Sequence, residues 1–122
     1  MKGHQRLQVY QKSYRLVIEI YRMTGGYPQE ELYGITSQMR RAAASIPLNI
    51  AEGYAKRESQ SEFKRFLNMA LGSNAELSVL LDLSRDLGYI GESEYEQISE
   101  QYEEVGKMTY VLIQRVGSKS NI

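Results

Sequence analysis

Cysteine and tryptophan are absent from the 122 residues, and there are only two prolines and a single histidine. Without cysteine the chain forms no disulfide, no thiolate metal site and no thiol nucleophile. No apolar run approaches the roughly 18 residues that cross a bilayer. The opening "MKGHQRLQVY" lacks the apolar core of a signal peptide. A cytoplasmic protein with no membrane partner is expected. Formal net charge is zero, so overall basicity does not argue for nucleic acid.

Motifs that carry chemistry are also missing. His4 lies in the leading tail and reads as solvated there rather than as a ligand or a triad base. The Glu-x-x-His pattern of helical di-metal bundles does not occur, and neither GxxxxGK(S/T) nor GxGxxG is present. The adjacent carboxylates Glu30–Glu31 and Glu103–Glu104 would leave a helix in different directions and share no site. No catalytic residue, cofactor, metal or small-molecule substrate is expected, and an enzyme is disfavoured.

What is present is helical periodicity. Length and the 42% hydrophobic, 25% charged composition fit one ordinary globular domain. In the first segment, about residues 7–24, Leu7, Tyr10, Tyr14, Val17 and Tyr21 step by three and four, widened by Ile18. Val9, Leu16, Ile20 and Met23 form a second apolar line on the same helix. Two lines require two neighbours, only one of which need lie in the same chain. "TGGYP" stops this helix, and a short turn is expected at 30–33.

The second helix, about 37–56, opens with Thr36 as N-cap and carries Met39, Ala42, Ala43, Ile46 and Ile50. The third, about 60–87, opens with the capping box "SQSE" and carries Phe63, Phe66, Leu67, Ala70, Leu77, Leu80, Leu81, Ser84 and Leu87. Gly88 is placed to end it. The fourth, about 93–116, opens with a second candidate box, Ser93 and Glu96, and repeats Tyr95, Ile98, Tyr102, Val105, Thr109, Leu112 and Val116. Four amphipathic helices with short connections predict an all-α, up-down-up-down four-helix bundle within one domain, 1–122.

The second helix holds an irregularity, "RRAAASIPLNIAEGYAKR". Pro47 removes a backbone donor, clashes with the carbonyl of Ala43 and predicts a kink. Ala43 and Gly53 keep the helix thin enough for close packing. Ser45 and Asn49 are placed to satisfy the groups a bend exposes.

Charge is unevenly spread. Residues 1–72 hold eleven lysines and arginines against six glutamates, a net +5, and residues 73–122 hold four against nine, a net −5. Complementary helices pairing within or between chains are favoured over separate basic and acidic faces. Arg40, Arg41, Lys56, Arg57, Lys64 and Arg65 are the candidates for a basic patch, either as ion-pair partners or as contacts to RNA or single-stranded DNA. Glu52 and Glu76 lie close to apolar stripes, and Arg40, Arg41 or Arg57 are the expected partners. Ten tyrosines and two phenylalanines supply all the aromatic rings. Tyr10, Tyr14 and Tyr21 beside Lys12, Arg15 and Arg22 suit a half-wet subunit interface better than base stacking.

The block "YGITSQMRRAAASIPLNIAEGYAKRESQSEFKRFLNMALGSNAEL", Tyr33 to Leu77, resembles the bacterial four-helix-bundle proteins encoded by intervening sequences of 23S rRNA genes. Its marks are the "SQMRRA" start, "SIPxNIAEG", and an aromatic helix with "GS" and "EL". "LQVYQKSYRLVIEIYRMT" and "LGYI" extend the likeness over nearly the whole chain. The resemblance implies a homopentameric ring of left-handed bundles with no established catalytic activity and an unknown cellular role. The family is similar to the accessory variability protein of diversity-generating retroelements, a basic pentameric bundle that binds nucleic acid and a reverse transcriptase. This chain departs from that relative in its zero net charge, and from the family pattern at Leu48 and Tyr54–Ala55. A self-associating assembly or adaptor module is the leading expectation, and a nucleic-acid-binding module the alternative.

Overall fold

A computed structural model describes residues 3–118, so the end of the polar tail lies outside the described residues. Four α-helices fill the chain: α1, Gln8–Thr24; α2, Ser37–Ala55; α3, Gln60–Asp86; and α4, Glu92–Arg115. A 3-10 turn, Gly3–Arg6, precedes α1. Gln29–Glu31 forms another 3-10 turn and Leu32–Thr36 a π turn that runs into α2. Each helix packs on its sequence neighbours, and α4 returns to α1 more loosely. The result is an all-α four-helix bundle, as the periodicity predicts.

The apolar stripes of α2, α3 and α4 meet in one core. Met39, Ala43, Ile46 and Ile50 from α2 are fully covered, as are Leu67 and Leu77 from α3. Tyr102 and Val105 supply the α4 side. Leu87 departs from its expected place: it follows the end of α3 and is 55% exposed. On α1 the second apolar line, Val9, Leu16 and Ile20, enters the core. Three buried hydroxyls are absorbed by their own helices. Ser84 donates to the Leu80 carbonyl, Thr109 to Val105 and Thr24 to Ile20, at 2.7–2.8 Å.

Helix ends are fixed by several devices. Ser59 accepts a hydrogen bond from the Glu62 amide at 3.3 Å, so the third-helix cap forms. Glu62 does not return the bond; its carboxylate turns to Arg65. The expected caps at Thr36 and Ser93 do not form. Thr36 is helical and makes no cap bond, while Ser37 donates to the Gly34 carbonyl at 3.1 Å. Fourth-helix residues start at Glu92 with Gly91 as the uncapped leader. Gly88 takes φ +79, the left-handed turn that ends α3.

Helix α2 runs unbroken through buried Pro47. The departure from helical angles sits instead at Gly34, before the helix begins. Asn49 donates to both the Ser45 carbonyl, at 2.8 Å, and the Ser45 hydroxyl, at 2.9 Å. That hydroxyl lies 2.8 Å from the Ser73 hydroxyl on α3. The polar fasteners therefore join two helices and do not serve the Ala43 carbonyl. At Gly53 a Cβ would lie 2.9 Å from Phe66 Cβ and 3.3 Å from the Phe63 carbonyl. Here glycine is what lets α2 and α3 touch.

Candidate functional site

The six candidate cations fall into two groups, because α2 separates Arg40 and Arg41 from the α2–α3 corner by about 20 Å at 1.5 Å per residue. Arg40 is neither a glutamate partner nor free. Its Nε donates to Thr24 Oγ1 at 2.9 Å and its Nη2 to the Tyr21 carbonyl at 3.4 Å. Its guanidinium also lies 4.6 Å from the Tyr21 ring centroid. A cation at the last turn of α1 suits the negative end of the helix dipole. Arg41 points outward and makes no ion pair or hydrogen bond among the described residues.

At the corner, cations and rings interleave. Lys56 and Arg65 lie 4.8 and 4.4 Å from the Phe66 ring centroid, and Arg57 lies 4.1 Å from that of Tyr54. Lys56 reaches Glu52 at 3.8 Å, and Arg65 reaches Glu62 at 2.8 Å. That pair lowers the Glu62 carboxyl below its ordinary range, chiefly by the Arg65 hydrogen bond. Arg57 donates to the Tyr54 carbonyl at 3.0 Å. Lys64 is exposed and pairs with no carboxylate among the described residues. Two of the four corner charges are thus neutralised. Glu52 meets Lys56 rather than an arginine, and Glu76 is exposed with no ion pair among the described residues.

His4 is not a loose tail residue. It lies in the first 3-10 turn, with its ring edge-on to Tyr10 at 4.8 Å. It lines a groove of about 430 Å³ between α1 and α2 with Tyr10, Tyr14, Ile18, Pro47 and Leu48. The floor is alanine, Ala44 and Ala51, which lets the two backbones come close. The groove belongs to a wider apolar face on which Tyr14, Ile18, Tyr21 and Leu48 are 54, 49, 48 and 67% exposed. Leu48 went unassigned in the periodic reading of α2 because it opposes the buried stripe.

Among the described residues no group of three or more histidines, aspartates or glutamates is placed to hold a metal. No described helix is long and apolar enough to cross a membrane. Four tyrosines titrate above their ordinary range. Burial pushes Tyr102 and Tyr27 up from the ordinary tyrosine range, and a hydrogen bond to a carboxylate does the same for Tyr89 and Tyr95. The Tyr89 hydroxyl donates to Glu31 at 2.7 Å and that of Tyr95 to Asp82 at 2.6 Å. Ser84 moderates the Tyr27 shift, and the hydroxyls of Tyr27 and Tyr102 are buried with no hydrogen-bond partner among the described residues. These are packing consequences, scattered through the bundle, and they converge on no reacting centre.

No curated protein matches the sequence. A solved structure from Bacteroides thetaiotaomicron VPI-5482, described as a protein with unknown function from the S23 ribosomal protein family, has a similar fold at 27% identity. The match has a TM-score of 0.79 and covers 87% of this chain and 95% of that one. The model of 23S rRNA-intervening sequence proteins matches residues 5–111. With that model matched over most of its length, the chain belongs to the 23S rRNA-intervening sequence protein family.

Proposed function

We propose that this protein is a non-enzymatic, cytoplasmic assembly or adaptor module that works as a homo-oligomer, with five copies as the expected number. The observation that supports it most is the α1–α2 face. Tyr14, Ile18, Tyr21 and Leu48 stand exposed together while a separate line of α1 already fills the core. Covering these half-exposed side chains removes further apolar surface from water, which favours association. Sedimentation velocity at micromolar concentration is expected to show a defined oligomer. A stable monomer under those conditions overturns the reading.

A second reading, binding of RNA or single-stranded DNA, rests on Arg57 and Lys64 at the α2–α3 corner, which carry no ion pair among the described residues. One such corner is weak, but copies around an oligomer act together. Fluorescence polarisation with structured RNA and with single-stranded DNA at low salt tests it. Binding that falls steeply as salt rises supports phosphate contacts, and no binding at low salt discards the idea.

A further inference from the structure

The α1–α2 face is not the only apolar surface left open. Along the outer side of α3, Met69, Val79, Leu83 and Leu87 are 45, 58, 45 and 55% exposed. Positions 69, 72, 76, 79, 83 and 87 step by three and four, so they form one line along the outer side of α3. The line is interrupted by one charge, Glu76. The outer line of α2, at 41, 44, 48, 51 and 55, is likewise interrupted by one charge, Arg41. Neither has an ion pair or hydrogen bond among the described residues. The hydrogen-bonded seam of Ser45, Asn49 and Ser73 separates the two apolar surfaces.

We infer that the α1–α2 groove of one copy receives the outer ridge of α3 from a second copy, with Arg41 meeting Glu76 across the contact. The inference rests on the self-association proposed above and names the two faces that make it. Burying Val79 and Leu83 strips water from Glu76, and a desolvated carboxylate requires a cation from whatever covers it. The outer line of α2 supplies one at Arg41, one turn before Ala44 of the groove. Spacings also agree: Glu76 to Leu83 and Arg41 to Leu48 each span about 10 Å of helix at 1.5 Å per residue. Placing two grooves face to face instead would leave the α3 ridge uncovered. A contact between two different faces is head-to-tail, and repeating it closes a ring when the rotation allows.

The decisive experiment mixes two crippled chains. Leu48→Asp spoils the groove and Leu83→Asp spoils the ridge, both at exposed positions, with helix content checked by circular dichroism. Each variant alone is expected to sediment as a monomer. Their equimolar mixture is expected to give a species of two chains, because one intact groove and one intact ridge remain. If Leu83→Asp alone keeps the wild-type oligomer, or the mixture stays monomeric while wild type associates, the pairing is wrong although self-association stands. A monomeric wild type sinks both. Charge exchange provides an arm independent of the apolar variants: Arg41→Glu or Glu76→Arg alone weakens association about tenfold or more. The double exchange in one chain restores it. A double variant no better than the singles overturns the Arg41–Glu76 contact.

Discussion

Gly53→Ala sets helix propensity against packing, and the structure decides the sign. An alanine inside a helix is worth about 1 kcal/mol over glycine. Against that gain, the new methyl would lie 2.9 Å from Phe66 Cβ, 3.2 Å from Phe63 Cδ1 and 3.3 Å from the Phe63 carbonyl oxygen. A Cβ and a carbonyl move only with their backbone, so relief requires α2 and α3 to part. Overpacking of this kind costs about 1–3 kcal/mol, and the rigidity of these neighbours places it at the upper end. The net expectation is a loss of about 2 kcal/mol, or about 8 °C in Tm for a chain of this size. Gly106→Ala is the control, since its nearest neighbour would be Asn74 Oδ1 at an ordinary 3.8 Å. It should raise Tm. Thermal unfolding followed by circular dichroism, at one protein concentration for all three chains, reads both effects. A Gly53→Ala chain as stable as wild type refutes the close-contact argument.

Arg40→Ala removes two bonds at the end of α1 and should cost about 1–2 kcal/mol in urea unfolding; Arg40→Lys should recover little, because one ammonium cannot reproduce the guanidinium fork. Asn49→Ala deletes both bonds to Ser45 and should cost about 1 kcal/mol by the same assay. Pro47→Ala is expected to leave far-ultraviolet helix content almost unchanged but to shift the sedimentation profile, since Pro47 lines the α1–α2 groove; the same oligomer and the same Tm would contradict this. Tyr27, Tyr89, Tyr95 and Tyr102 have folded-state pKa values raised above the tyrosine reference of 10.0. Their stabilisation is therefore complete below about pH 10 and is lost as pH rises through the folded values. Absorbance at 295 nm should show a step that coincides with alkaline unfolding, and Tyr102→Phe should shrink it.

The bundle was legible in the sequence because its signal is periodic and local. Met39, Ala43, Ile46 and Ile50 repeat at helical spacing whatever the partner helix is. The two apolar lines of α1 were equally visible, but which one enters the core was not: the rings of Tyr14 and Tyr21 suit a core or a half-wet interface alike, and Ile18 lies beside them. Only the position of α2 and α4 decides. The fate of charges was the least legible. Arg40 and Arg41 are adjacent letters, yet one straps the end of α1 and the other faces outward, because neighbouring helix positions differ by about 100°. Ser93 and Glu96 match a cap pattern that the chain bypasses by starting α4 at Glu92. The α3 line from Met69 to Leu87 was hidden beside a stronger buried stripe on the same helix.

The hydroxyl pair of Ser45 and Ser73 also fixes how α2 and α3 are aligned along their axes. Apolar surfaces are tolerant of sliding, since a leucine one turn away fills much the same space. A hydrogen bond of 2.8 Å is not. Displacing α3 by one turn moves Ser73 about 5.4 Å along the axis and breaks the hydroxyl pair, while the Asn49 bonds that brace Ser45 stay within α2. Three small polar side chains thus act as a detent in an otherwise slippery contact, and they hold the groove and the ridge at fixed relative heights in every copy.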